Sequence, residues 1–128
     1  MPLLPLHLLL CGTAALDNGL RVPPMGWSSW YGFTSNINET LFREIGDGLI
    51  SSGLKDVGWS KVWISDGWAI GRDNVTGHII EDPRVFPSGM KATTDYLHAR
   101  GLSVGMYTSV GPLTVSNPTR AACPRVRC

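Results

Sequence analysis

The stretch Lys61-Val62-Trp63-Ile64-Ser65-Asp66-Gly67-Trp68 restricts what this chain can fold into more than any other. It opens as a short apolar run of β-branched and aromatic residues and breaks into a polar pair, a glycine and a tryptophan. An apolar run this short, bounded by turn residues, reads as a strand buried on both faces, as in a parallel sheet. Ligands of parallel sheets and barrels sit at the carboxyl ends of the strands. The residues at this end suit a carbohydrate. Asp66 would accept hydrogen bonds from sugar hydroxyls, Gly67 would let the chain turn out of the sheet, and the Trp68 indole would cover an apolar sugar face.

The flanking sequence supplies the rest of such a sheet. Leu16 to Arg21 is a polar turn region, and Pro23-Pro24 leads into a short first strand, Met25-Gly26-Trp27. Ser28 to Phe33 reads as a loop with aromatic content. Asn38 is a good helix N-cap with Glu39 in the first turn. Leu41, Ile45 and Leu49 then recur on one helical face, with Gly48 allowing close approach and Gly53 in the C′ position. The strand at Lys61–Ile64 is followed by a long polar loop. Ser88 then caps a second helix with Met90, Thr94, Leu97 and His98 on one side. That helix stops at Gly101, and Leu102 to Tyr107 forms a third strand.

Strand, helix, strand, helix, strand, repeating about every forty residues, predicts an α/β fold with parallel strands and right-handed crossovers. The alternation alone fits a Rossmann-like sheet and a barrel equally. No G-x-G-x-x-G or Walker loop follows any strand, which weighs against nucleotide binding.

The formal charge of +1 gives no electrostatic case for nucleic acid. Leu3 to Leu10 is an apolar run too short to span a bilayer, and Thr13-Ala14-Ala15 follows with small residues. Residues 1–15 therefore read as a cleaved secretory signal, although only His7 offers amino-terminal charge. Delivery to the secretory pathway is expected, ending outside the cell or in a lysosome or vacuole, with no membrane attachment after cleavage. Cys11 would leave with the signal, and Cys123 and Cys128 would close only a tiny loop. No metal-ligand spacing is present. Two glycosylation sequons stand at Asn38-Glu39-Thr40 and Asn74-Val75-Thr76, and a glycan on Asn38 is expected to compete with its capping role. From Gly111 onward the chain has no period. Residues 111–128 read as a disordered tail or as the product of a misread splice junction, the second being the favoured reading.

Trp27, Asp66 and Tyr107 each fall at the carboxyl end of one of the three strands, and are expected to face one rim. Taken singly, Trp27 and Tyr107 read as core packing and Asp66 as a cap of its turn. Their coincidence favours a site.

In series, L-D-N-G-L, P-P-M-G-W, S-D-G-W, D-P-x-x-F-P-x-G-M-K and L-H-x-x-G-L-x-x-G-M-Y resemble the opening of an α-galactosidase of glycoside hydrolase family 27. The resemblance covers residues 16 to about 114. It implies a (β/α)8 TIM barrel, of which residues 16–110 would hold the first three strands and two helices. It also implies a retaining glycosidase acting on terminal α-D-galactose or α-N-acetylgalactosamine, with no cofactor and no metal, and leaves open a homodimer for a full-length parent. By the same resemblance Trp27, Ser65, Asp66 and Tyr107 would bind substrate, with positions 65 and 66 gripping ring hydroxyls, and Trp68 joins them on the reading of its indole as a sugar cover.

Two departures stand out. Ser65 occupies a position where the family pattern has aspartate, which turns a charge-assisted hydrogen bond into a neutral one and puts substrate preference in question. The family's cysteines here are missing too: Gly67 matches one, and none lies between Trp30 and Asn38. Second, retaining hydrolysis needs two carboxyl groups about 5 Å apart. The resemblance assigns them to strands four and six, so this chain carries no catalytic residue of its own. Asp73, Glu81 and Asp82 lie on the long loop and read as solvated.

A closed barrel takes about 250 residues. Three strands with an open edge and face predict a poorly stable or aggregating product. The expected function is therefore part of an α-galactosidase-like hydrolase, inactive alone. The alternatives are a lectin-like galactose-binding module without turnover and an unrelated parallel α/β protein.

Overall fold

The computed structural model describes residue 19 and residues 21–73 and 75–109. Residues 1–15, expected to be a signal, residues 111–128, expected to be a tail, the three cysteines and Asn74 lie outside the described residues.

The main sheet has three parallel strands: β1 (Gly26–Ser28), β2 (Lys61–Ile64) and β5 (Ser103–Met106), in the order β1-β2-β5. Helix α2 (Glu39–Ser51) crosses from β1 to β2, and α3 (Met90–His98) crosses towards β5. A four-residue helix, α1 (Trp30–Phe33), fills the first loop, where the sequence suggested irregular chain. The long segment after Trp68 is not a plain loop either. It forms an antiparallel hairpin, β3 (Ala69–Arg72) and β4 (Ile79–Glu81), with a bulge between Ala69 and Gly71.

Helix α2 begins where its cap says it should. The Asn38 side-chain oxygen accepts the Leu41 amide at 2.8 Å, which satisfies one of the donors a helix start leaves open. Gly53 and Gly101 adopt left-handed conformations just beyond α2 and α3, ending both helices. The start of α3 differs from the expectation. Gly89, not Ser88, is its N-cap, with no side chain to offer. Glu81 supplies the missing acceptor from the hairpin, taking the Met90 amide at 2.7 Å. Ser88 is bound sideways, its amide and hydroxyl donating to Glu39 at 3.0 Å each.

The core lies between the sheet and the two helices. Val62 and Ile64 are fully buried on that side of β2, against Phe42 from α2 and Leu97 from α3. Phe42 stacks on Phe86 with ring centroids 5.8 Å apart. The close approach of the helices falls at Gly46 rather than Gly48. A Cβ at Gly46 would lie 2.5 Å from Leu97 Cδ2, whereas one at Gly48 meets nothing within 4 Å. On α3 the buried positions are Met90, Thr93 and Leu97, while Thr94 is half-buried and His98 exposed.

The other face of the sheet is open. Lys61 and Trp63 are only half-buried, so β2 is covered on one side and not on both. The Trp63 indole lies over Gly105 of β5, where an added Cβ would sit 2.6 Å from its Cδ1. Among the described residues no helix is long and apolar enough to cross a membrane.

Candidate functional site

The carboxyl ends of the three strands are tied to one another at a single rim. The Ser29 amide donates to the Trp63 carbonyl at 3.2 Å, and the Tyr107 amide to the Ile64 carbonyl at 2.9 Å, extending the ladder past the strands. Ser29 is fully buried. Its hydroxyl accepts the Ser65 amide at 3.0 Å, clamping the first residue beyond β2 to the first beyond β1. The Ser28 and Ser65 hydroxyls lie 3.0 Å apart and share a hydrogen bond.

Asp66, 8% exposed, then starts a tight turn in which its Oδ1 accepts the Gly67 amide at 2.9 Å. Gly67 has φ of 99° and packs on Ser35, whose Cα would be 2.9 Å from any Cβ there. Only glycine fits both the left-handed backbone and the contact. The result is an open hollow of about 360 Å³ lined by Ser28, Trp30, Tyr31, Ser65, Asp66 and Tyr107. That is within the usual range for a small-molecule site. Hydroxyls, one carboxylate and aromatic residues around such a space match the needs of a polyol with apolar ring faces.

Of the residues singled out from sequence, Ser65, Asp66 and Tyr107 come together here, and Trp27 does not. Trp27 pairs in register with Val62, which puts it on the helix side of the sheet. Its ring meets Phe33 at 5.9 Å and Phe42 at 6.1 Å and packs against the core. Trp68 braces rather than lines the hollow: its indole N–H donates to the Tyr107 carbonyl at 2.8 Å, and its ring packs against the core. Asn38 caps α2 on the segment leading away from the rim. The hollow gains Trp30 and Tyr31 instead, both from α1. The signal available in the sequence was a second tryptophan three residues beyond Trp27, past the end of the strand.

Each carboxylate of the long segment has a structural task, and of the three only Asp82 is buried away from solvent. Asp73 Oδ1 accepts the amides of Val75 and Thr76 and the Thr76 hydroxyl, closing the hairpin turn. Those bonds, led by the Thr76 amide, hold its carboxyl below the usual range. Glu81 caps α3. Asp82, 6% exposed, binds the Arg84 guanidinium and amide, which lower its pKa in the same way. Asp66 is thus the single carboxylate lining the hollow among the described residues. No three His, Cys, Asp or Glu side chains gather there into a metal site.

The family model described as Alpha galactosidase A matches residues 22–120. The chain belongs to the α-galactosidase family, glycoside hydrolase family 27. It is 45% identical over 104 residues to α-galactosidase 3 of Arabidopsis thaliana, covering 80% of this chain and 24% of that one. It is 40% identical over 110 residues to an α-N-acetylgalactosaminidase of Gallus gallus, covering 77% and 27%. The crystal structure of α-galactosidase I from Mortierella vinacea superposes with a TM-score of 0.74 at 36% identity, over 80% of this chain and 26% of that one. This α-galactosidase-family chain thus spans about a quarter of the length of the relatives it matches. Its three parallel strands and two crossover helices are opening units of a (β/α)8 barrel, and the rim just described is the barrel's carboxyl-end face.

Proposed function

We propose that this chain provides the sugar-gripping part of an α-galactosidase-type site, binding terminal α-D-galactose or a close relative. The observation that carries the reading is the meeting of Ser28, Trp30, Ser65, Asp66 and Tyr107 on one hollow at the ends of three parallel strands. Asp66 is the anchor, because a carboxylate accepts stronger hydrogen bonds from sugar hydroxyls than a neutral oxygen does. The hydroxyls of Ser28 and Ser65 add neutral partners beside it, and the aromatic residues supply surface for the apolar ring face.

Turnover is a separate matter. A retaining mechanism requires a nucleophile and an acid/base about 5 Å apart, and the one carboxylate of this hollow, Asp66, is taken up with gripping the sugar. We therefore assign binding to these residues, and hydrolysis only to an assembly that brings two further carboxyl groups to the rim. The same observation keeps a lectin-like module as the second reading.

Isothermal titration of the full chain with galactose, alongside hydrolysis of a chromogenic α-galactoside, tests both parts. Saturable heat is expected, lost in Asp66→Asn, with no turnover. Release of the chromophore by the pure chain would overturn the division of labour, and absence of saturable heat would overturn the binding role.

A further inference from the structure

The sequon Asn38-Glu39-Thr40 takes no part in the rim. Its asparagine already has a task, since Oδ1 accepts the Leu41 amide at 2.8 Å. Capping and glycosylation look like rivals for this side chain when read from sequence. A carboxamide, however, has two different ends. The cap uses the oxygen, whereas an N-linked oligosaccharide is attached to Nδ2. The cap bond is the hydrogen bond this side chain makes among the described residues, and it leaves both Nδ2 hydrogens outside it. Asn38 and Thr40 are both exposed. The Asn38 backbone is extended, with φ of −153° and ψ of 167°, so it stands outside the helix proper.

Its neighbours are firmly placed. Ile37 is buried, the Glu39 amide donates to the Val85 carbonyl at 2.9 Å, and the Glu39 carboxylate holds Ser88. Attachment of a sugar at the exposed Nδ2 leaves these contacts and the cap bond in place.

We propose that Asn38 is an acceptor for an N-linked oligosaccharide. The donor class is a lipid-pyrophosphate oligosaccharide. The Nδ2–C1 bond forms as the bond from C1 to the pyrophosphate oxygen breaks, the lipid pyrophosphate leaves with the electron pair, and Nδ2 loses one proton. The amide keeps its oxygen, so the cap on Leu41 survives the modification. The attached sugar stands on the segment joining the rim to α2, three residues beyond Ser35, which packs under Gly67.

The test expresses the full chain in a eukaryotic host twice, once with its own amino terminus and once behind an unrelated strong secretory leader. Enzymatic removal of N-glycans in heavy-oxygen water converts a modified asparagine to a mass-tagged aspartate, which peptide mapping locates. A tag at position 38, lost completely in Thr40→Ala, is the expected result. Thr40→Ala removes the acceptor motif and leaves the Asn38 cap in place, so its effect is not one of unfolding. A tag that appears only behind the unrelated leader upholds the acceptor and counts against residues 1–15 as a signal. An untagged position 38 behind that leader overturns the proposal.

Discussion

The two faces of β2 obey different rules. Towards the helices, Val62 and Ile64 are fully buried in a cluster with Phe42 and Leu97. On the other face, Lys61 and Trp63 are half-exposed, and the strand runs up to the hydroxyl pair of Ser28 and Ser65. One short strand therefore presents a packed face and an open face that leads to the proposed sugar rim. Substitutions on the first should act on stability, and those at the rim on binding.

The largest effect expected on the packed face comes from Phe42→Ala. It removes a fully buried ring that stacks on Phe86 and meets Trp27 edge-on, a loss of about 3–5 kcal/mol. In a sheet with one face open, that exhausts the stability margin. The variant should lose its near-ultraviolet circular dichroism and be digested rapidly by protease. Gly46→Val follows, at about 1–3 kcal/mol, because its side chain enters the space of Leu97. Gly48→Ala on the same helix should instead gain up to about 1 kcal/mol. Opposite shifts of the urea midpoint would confirm which glycine the packing needs, and equal shifts would break the comparison.

At the rim, Ser65→Asp should restore a charge-assisted acceptor and tighten galactose binding by about 1 kcal/mol, roughly five-fold. Its effect on the urea midpoint should be slight, since the Ser65 contact to Ser29 is made by the backbone amide and an aspartate still accepts from the Ser28 hydroxyl. A large loss of stability there would erase the distinction between the two faces.

The smallest effect is electrostatic and lies on the outer helix surface. Asp47 accepts the Tyr96 hydroxyl at 2.7 Å and Arg100 Nε at 2.8 Å, which in that order hold its carboxyl below the ordinary value of 3.8. A carboxylate with a depressed folded pKa stabilises the fold above its unfolded value and loses that contribution as pH falls through the folded one. Urea midpoints should therefore decline from about pH 4 downward, and Asp47→Asn should make the decline shallower. The group is exposed, so the difference should be modest and should shrink in salt.

Much of this arrangement is legible in the sequence. The bounds of β2 follow from an abrupt change between an apolar run and turn residues, and the start of α2 from Asn38, whose cap is local. The missing pieces depend on register or on distant partners. Placing β1 one residue early leaves the face of Trp27 undetermined, and in a strand one position decides core against rim. Trp30 escapes a strand-based reading because it stands beyond β1, on the short helix α1. Gly46 and Gly48 are indistinguishable by composition, and only the position of Leu97 on another helix selects between them. The cap of α3 comes from Glu81 in the hairpin, which no local pattern reports. The hairpin itself was hidden because its bulge interrupts the alternation that would have marked it.

The indole of Trp63 resting on Gly105 carries a consequence for how this layer can change. The two positions, on neighbouring strands, occupy one shared volume, so neither is independent of the other. A methyl group at 105 would have to be answered by a smaller ring or an aliphatic chain at 63. Drift on this face would then proceed by matched exchanges: a side chain added at 105 alone would collide with the indole, and a smaller residue at 63 alone would leave Gly105 uncovered.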